Sequence, residues 1–435
     1  MLVEYRVANY GPYKHALSLN MKSTKEQRFR NRVPRFQSRY RMSINPIAAI
    51  YGPNASGKST ILESLFRLAS TIRGNTTTSW QHDYIFALDS TMENEPTLFK
   101  LVFMFKEKMY SYFLAIRNGD VLEEYLASLT ADQEMLLFER TVDGIEFGEK
   151  WGDDNLLTKI AEKVPNNRTL AGRIADVLSN DEEYDEINST YFFLRKIIWI
   201  SPNARQPIIP TFYDDDSNLS NALSALDTGV IGLEFTHLSK EDYPFFEEEL
   251  KDFSDSTNAN IAELRIKNRK LYSIAHDAEG KLAVTHIRFR HKDRQDHEYL
   301  LDWYQESQGT RKIIMLLPWL WIAVRSVDPP ILLVDELDNS LHTQLAEALI
   351  QGFLHGCTNN TRAQLIFTAH DILLMDLDYL RRDEIWITAK SLDGDSALIG
   401  LPEYRGIRSD KDIRKSYLAG RFGGTPQLDS FALKE

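Results

Sequence analysis

The chain has 435 residues, 43% hydrophobic and 26% charged, the proportions of a folded protein and not of a disordered one. Lys and Arg number 51 against 63 Asp and Glu, and the net charge of −12 argues against a general nucleic-acid coat, leaving only local basic surfaces for such contacts. Cys357 is the one cysteine, which excludes an internal disulfide, a CxxC zinc site and an intramolecular CxxC redox pair, and makes the cytoplasm the expected compartment.

Met1 to Tyr10 places Glu4 and Arg6 inside an alternating pattern, which reads as a strand and not as a signal peptide. Strands are expected at Leu2 to Val7, Ala16 to Met21 and Ile47 to Tyr51. Lys22, Lys25, Arg28, Arg30, Arg32, Arg35, Arg39 and Arg41 form a basic strip with Glu26 as its only acid and Phe29, Phe36 and Tyr40 interleaved. Guanidinium pairs with phosphate or carboxylate, so the strip reads either as a surface for DNA or an acidic partner or as a loop paired with the protein's own acids. Leu98 to Phe105 and Tyr110 to Arg117 make an antiparallel hairpin around Lys106 to Met109.

From Leu156 to Leu194 the pattern turns helical and polar. Acidic clusters at Asp181 to Glu186, Asp214 to Asp216 and Glu247 to Glu249 read as solvated faces. Strands return at Leu264 to Ile274, where Arg265, Lys267 and Arg269 alternate along one face, and at Leu282 to Phe289. The longest apolar run, Ile313 to Val324, is too short to span a bilayer and predicts a buried helix kinked at Pro318. Ile331 to Val334, Gln364 to Thr368 and Glu384 to Thr388 then alternate with helical stretches, as in an α/β sheet.

Gly52-Pro53-Asn54-Ala55-Ser56-Gly57-Lys58-Ser59 fits G-x-x-x-x-G-K-[ST] between the strand Ile47 to Tyr51 and the helical Thr60 to Arg67, the context a P-loop requires. Gly52, Asn54, Gly57, Ser59 and Thr60 would cradle the phosphates of ATP, Lys58 would reach the β and γ phosphates, and the Ser59 hydroxyl would ligate Mg²⁺. Ile331 to Val334 followed by Asp335 and Glu336 is a Walker B strand, with Asp335 for the metal shell and Glu336 to orient the attacking water. Ser307-Gln308-Gly309-Thr310 precedes a helix whose N-terminus suits a γ-phosphate, and the strand Gln364 to Thr368 leads to His370 as a switch on the same phosphate.

The order of P-loop, S-x-G-T, Asp-Glu and His resembles the ABC-type ATPases, and specifically their SMC/RecF-like soluble branch. That resemblance implies an α/β fold: an ABC-type ATPase head with a P-loop core, an antiparallel β-lobe and an inserted, mainly helical subdomain. The expected divisions are 1–150 for the P-loop and β-lobe, 151–260 for the insertion and 261–435 for the rest of the head. It also implies that Ser307, Gly309 and Thr310 complete the ATP site of an opposite subunit, that Asp338 and Asn339 form a D-loop, and that the protein is a homo-oligomer, at least a dimer. Gln81 is the nearest candidate for the Q-loop glutamine.

Asn54-Ala55-Ser56, Asp338 to His342, Gln364 to His370 and the tail Lys415 to Gly423 are similar to the compact ATPases of anti-phage and abortive-infection modules. These are the RloA and AbiL type, the AriA subunit of PARIS and the ATPase half of OLD nucleases. The resemblance is dense over about residues 1–70 and 300–425 and implies a scaffold that controls a toxic nuclease until infection. Without heptads or a CxxC hook, a long-armed machine is disfavoured; the region between Lys58 and Ser307 reads either as a docking or assembly element or as an insertion packed on its own head. The stretch after His370 leaves little room for a Toprim-type nuclease, so the effector nuclease is expected in trans, from a neighbouring gene, with DNA or a phage protein as trigger and no membrane. The D-x-D pairs Asp376/Asp378 and Asp393/Asp395 sit in polar turns and lack a supporting acid. The alternative is a RecF/SMC-like DNA repair ATPase that binds DNA directly.

Overall fold

A computed structural model describes residues 1–36, 40–74, 84–130, 133–201, 216–246, 249–250, 263–276, 280–404 and 412–425. The chain forms two compact units, one of Met1–Trp199, Ser326–Leu337 and Leu354–Glu435, the other of Ile200–Arg325 and Asp338–Phe353. The cut differs from the expected division at 150 and 260, because residues 151–199 pack into the first unit. Trp151, Leu157, Ile160, Leu170 and Ile174 are buried in its core, and Gly172 lets the helix Leu170–Leu178 approach the helix Lys58–Ile72 so closely that a Cβ there would lie 2.7 Å from the Ile72 carbonyl oxygen. Thr169 caps the former helix by accepting from the Gly172 N–H, a contribution of about 1 kcal/mol.

The core sheet of the first unit runs in the order Ile197–Ile200, Ile331–Val334, Gln364–Thr368, Ile47–Tyr51, Ile385–Lys390, Ser396–Gly400. Its central pairs are parallel, with Val334 opposite Phe367, Thr368 opposite Ile50 and Ile387 opposite Tyr51. Parallel strands in this register end together, so the Walker B acids, the residues before His370 and the P-loop all leave at one sheet edge, where ligands of α/β sheets bind. The strands Ile331–Val334, Gln364–Thr368 and Ile47–Tyr51 are buried throughout, as expected of a sheet covered on both faces.

Beside it lies a seven-stranded antiparallel lobe that includes Leu2–Ala8, Thr97–Phe105 and Lys108–Arg117. The expected hairpin is present with a tighter turn: Lys106 and Glu107 take φ of 45° and 59°, the left-handed pair of a two-residue connection, so Lys108 and Met109 already belong to the strand. Asp185 pairs with Lys106, and Glu186 with Lys108 and Lys150, so part of the Asp181 to Glu186 cluster serves as counter-charge to this lobe.

The second unit carries an antiparallel sheet in the order Gly232–His237, Leu282–Lys292, Lys270–His276, Glu263–Lys267, with Glu298–Leu301 paired to Leu282–Lys292. Its helices include Asp216–Ala225 and the 18-residue Gln308–Arg325, which contains Pro318. The single strand expected over Leu264 to Ile274 is a hairpin, because Asn268 and Arg269 take φ of 50° and 66° and turn the chain. Arg269 therefore does not share a strand face with Arg265 and Lys267. Its guanidinium lies 5.7 Å from the Tyr304 ring centroid, while Lys267 pairs with Glu249 at 2.8 Å and Arg265 donates to the Glu249 carbonyl oxygen at 3.0 Å. Among the described residues no helix is long and apolar enough to cross a membrane.

Candidate nucleotide site

The P-loop leaves the strand Ile47–Tyr51 through Gly52, where a Cβ would collide with the Thr388 hydroxyl oxygen and lie 2.8 Å from the Thr388 carbonyl oxygen. Thr388 is buried, shares a hydrogen bond of 2.5 Å with Ser56 and donates to the Tyr51 carbonyl oxygen at 3.2 Å, so the neighbouring strand holds both ends of the loop. Gly57 takes a φ of 92°, and a Cβ on it would sit 2.5 Å from the Tyr13 hydroxyl oxygen, which itself donates to the Gly57 carbonyl at 2.5 Å. The helix Lys58–Ile72 begins there without a side-chain cap, which leaves its first N–H groups to the loop's interior. Asn54 is exposed, and Ser59 and Thr60 lie half-buried in the first helical turn. Lys58 is buried, its ammonium donating to the carbonyl oxygens of Gly52 at 2.9 Å and Pro53 at 3.0 Å.

Asp335 and Glu336 follow four fully apolar, buried residues. Asp335 is buried and Glu336 half-buried, with a left-handed φ of 48° at Glu336. The Thr368 hydroxyl donates to Asp335 Oδ1 at 2.7 Å and accepts the Glu336 N–H at 2.7 Å; Leu337 N–H donates to the Thr368 carbonyl oxygen at 2.9 Å. His370 Nε2 stands 3.6 Å from Glu336 Oε1. A cavity of about 890 Å³ opens beside Gly52, Asn54 and His370, walled by Lys390 and by Tyr417 and Gly423 of the tail. The Tyr417 hydroxyl donates to the Gly424 carbonyl oxygen at 2.5 Å, which closes the tail on itself.

Ser307 to Thr310 and Asp338 lie in the second unit. There Ser307 caps its helix by accepting the Thr310 N–H at 3.0 Å, Ser340 donates to Gln308 Oε1 at 3.2 Å, and Lys312 donates to the Asn339 carbonyl oxygen at 3.1 Å. A Cβ on Gly309 would lie 2.6 Å from the Ser340 carbonyl oxygen, so the S-x-G-T turn and the segment Asp338 to Ser340 are packed face to face. Upstream, His286 bonds Asp302 at 2.8 Å and His291 bonds Glu306 at 2.6 Å, tying the approach to Ser307 onto the strand Leu282–Lys292.

The structure brings Gly52, Asn54, Lys58, Asp335, Glu336 and His370 to one edge of the first unit; Gln81 lies outside the described residues. Thr368, Thr388 and Tyr13 were not singled out from the sequence. For Thr368 the signal is a hydroxyl that directly follows the apolar run Leu365 to Phe367 at the end of its strand. Among the described residues no group of three His, Cys, Asp or Glu side chains has the arrangement of a metal cage. Asp376 is bonded by Asp378 N–H and Arg414, and Asp395 by Lys14 N–H and His15, so each D-x-D pair has a local structural role.

Much of the basic strip is anchored. Arg32 is buried against Glu384 at 2.7 Å, Arg28 pairs with Glu26 at 2.6 Å, and the buried Arg381, which grips Asp383, donates to the carbonyl oxygens of Glu26 and Arg28. Lys22, Lys25 and Arg41 are exposed; Arg39 lies outside the described residues.

A P-loop entering its helix from a parallel sheet, with Walker B acids at the same edge and an antiparallel lobe beside it, defines a P-loop nucleotide-binding unit of the α/β class. The chain belongs to the family described as "AAA domain, putative AbiEii toxin, Type IV TA system", whose model matches residues 47–376. Among solved structures it is similar to the SMC head domain from Thermotoga maritima, at 12% identity and a TM-score of 0.38 over 92% of this chain and 98% of that one. It is also similar to an SmcHead bound to the C-winged helix domain of ScpA, at 13% identity and a TM-score of 0.44 over 92% and 97%. No curated protein matches it.

Proposed function

We propose that this chain is a Mg²⁺-dependent ATP phosphohydrolase that assembles with and controls a separate effector nuclease in anti-phage defence. The observation that carries the hydrolase reading is the joining of Asp335, Glu336 and the strand of His370 at the edge where the P-loop opens. Lys58 would exchange the Gly52 and Pro53 carbonyl oxygens for phosphate oxygens, keeping charge-assisted bonds throughout. Ser59 and Asp335 would supply an oxygen-only donor set, which suits Mg²⁺ held by one carboxylate, a hydroxyl and phosphates and not by a full protein cage. When bound, Mg²⁺ neutralises charge on the β and γ oxygens. Glu336 orients the attacking water, and His370, within reach of Glu336, monitors the γ-phosphate.

Ser307, Gly309, Thr310 and Asp338 would act on the nucleotide of a neighbouring copy, which makes the working form at least a dimer. Mixing Lys58→Ala with Ser307→Arg, each inactive alone, is expected to restore hydrolysis, since one site of the mixed dimer keeps both halves. No rescue between subunits shown to exchange counts against this arrangement.

The defence role rests on the family match, whose description names a toxin system, and on the tail Tyr417 to Gly423, which meets the P-loop at one cavity. It is the role of the RloA, AriA and OLD-type ATPases that the motifs resemble. Expressed with its neighbouring gene, the protein should protect cells against some phages and co-purify with that gene's product. Protection by this chain alone, or DNA-damage sensitivity of uninfected cells that lack it, would replace this reading with direct action on DNA.

A further inference from the structure

We propose that Thr368 is a positioning residue that sets the Asp335 carboxylate and the backbone of Glu336 and couples them to the strand that leads to His370; the inference rests on the ATPase reading above. A threonine hydroxyl has one proton and two lone pairs. Here the proton goes to Asp335 Oδ1 at 2.7 Å and a lone pair takes the Glu336 N–H at 2.7 Å, in a fully buried position. The first bond occupies one oxygen of Asp335 and thereby assigns the other, Oδ2, to a cation. The second pins the peptide of Glu336, whose φ of 48° is a state that residues with a Cβ seldom adopt and that needs support from its surroundings. The Leu337 N–H on the Thr368 carbonyl oxygen at 2.9 Å fixes the next peptide, so three successive residues of the turn are referred to this one position.

Alternative uses of the hydroxyl fit these contacts less well. A buried strand threonine whose only need is a partner can bond a nearby backbone carbonyl, as Thr97 does with Asn9 at 2.9 Å. Thr368 instead spends both its donor and an acceptor on the two residues that carry the Walker B carboxylates. It stands two positions before His370 on a strand in register with the P-loop strand, with Thr368 opposite Ile50. A shift of that strand when His370 meets a γ-phosphate would therefore be transmitted to Asp335 and Glu336 through one hydroxyl.

The test compares Thr368→Val, which keeps the shape and removes the hydrogen bonds, with Thr368→Ser, which keeps them, and with Thr368→Ala as a second deletion. Two quantities are read: the rise in melting temperature when Mg²⁺ is added to ATP-saturated protein, and steady-state hydrolysis. In Thr368→Val, ATP in EDTA should give the wild-type thermal shift and the KM for ATP should stay near wild type. The Mg²⁺ midpoint of the additional shift should rise, and kcat fall, by about 10- to 100-fold, the usual effect of removing a ligand's supporting partner. Serine should restore both. A folded Thr368→Val or Thr368→Ala variant with wild-type Mg²⁺ midpoint and kcat overturns the proposal. So does a serine variant as impaired as valine, or loss of the fold in both deletions. A wild-type protein that binds ATP but does not hydrolyse it refutes the hydrolase reading itself, a distinct result.

Discussion

Lys58→Ala tests the site at a buried cation whose partners are known. In the free protein the Lys58 ammonium is buried and held by the carbonyl oxygens of Gly52 and Pro53 at 2.9 and 3.0 Å. Pro53 keeps the Ser56 hydroxyl as a partner after the substitution, whereas Gly52 loses its bond to the ammonium. The net cost to the free protein is about 1–2 kcal/mol, since the desolvation of the ammonium is recovered. ATP at about 100 times its Kd stabilises a competent protein by ~2.7 kcal/mol. The unit that holds the P-loop has about 290 residues. At ~2.1 cal/mol/K per residue its unfolding entropy is ~0.6 kcal/mol/K, which converts the ligand term into a shift of about 4 °C. Differential scanning fluorimetry of both proteins with and without Mg-ATP separates the two effects. The variant's free melting temperature should fall by about 2–3 °C on the same conversion, and its ATP-dependent increment should vanish. An increment equal to wild type would refute the assignment of Lys58 to the phosphates, whatever the change in the free protein.

Glu336→Gln should retain the ATP-dependent thermal shift and lose nearly all turnover, which an equilibrium binding assay and a phosphate-release assay measure together. Gly309→Ala should displace the Asp338 to Ser340 segment, because its Cβ would lie 2.6 Å from the Ser340 carbonyl oxygen; the overpacking costs about 1–3 kcal/mol, and hydrolysis should fall with ATP affinity retained. Arg32→Met removes the ion-pair partner of the buried Glu384, which keeps the Arg381 N–H at 2.8 Å, and should cost up to about 3 kcal/mol in denaturant unfolding. Burial pushes the Glu384 carboxyl up to about 7 against the pull of Arg32. An acid whose folded pKa is raised contributes stability below its unfolded pKa and loses it as pH rises through the folded value, so this variant should suffer more at about pH 8 than at about pH 5.5. Cys357 is buried and its thiol is pushed up to about 12, so a disulfide reagent should modify it only as fast as the fold opens.

Much of the site was legible in the chain because its parts are contiguous. Gly52 to Ser59 and Ile331 to Glu336 each carry their chemistry within a strand and the turn that follows, and local pattern specifies both. Backbone conformation at single residues is less legible: the left-handed turns at Lys106-Glu107 and Asn268-Arg269 lack the glycine or asparagine-glycine signal that announces such turns, so residue pattern alone predicts a looser first hairpin and one continuous strand in place of the second. The basic strip was visible as composition, but its pairing was not. Arg32 meets Glu384 across 352 positions of sequence, and only the fold shows that this charge belongs to the core while Lys22, Lys25 and Arg41 remain at the surface. The same holds for Thr368, Thr388 and Tyr13, whose partners lie 33, 332 and 44 positions away. Residue type and spacing determine which groups can bind phosphate and metal; which hydroxyl supports which carboxylate depends on the register of parallel strands, and that is decided when the sheet assembles.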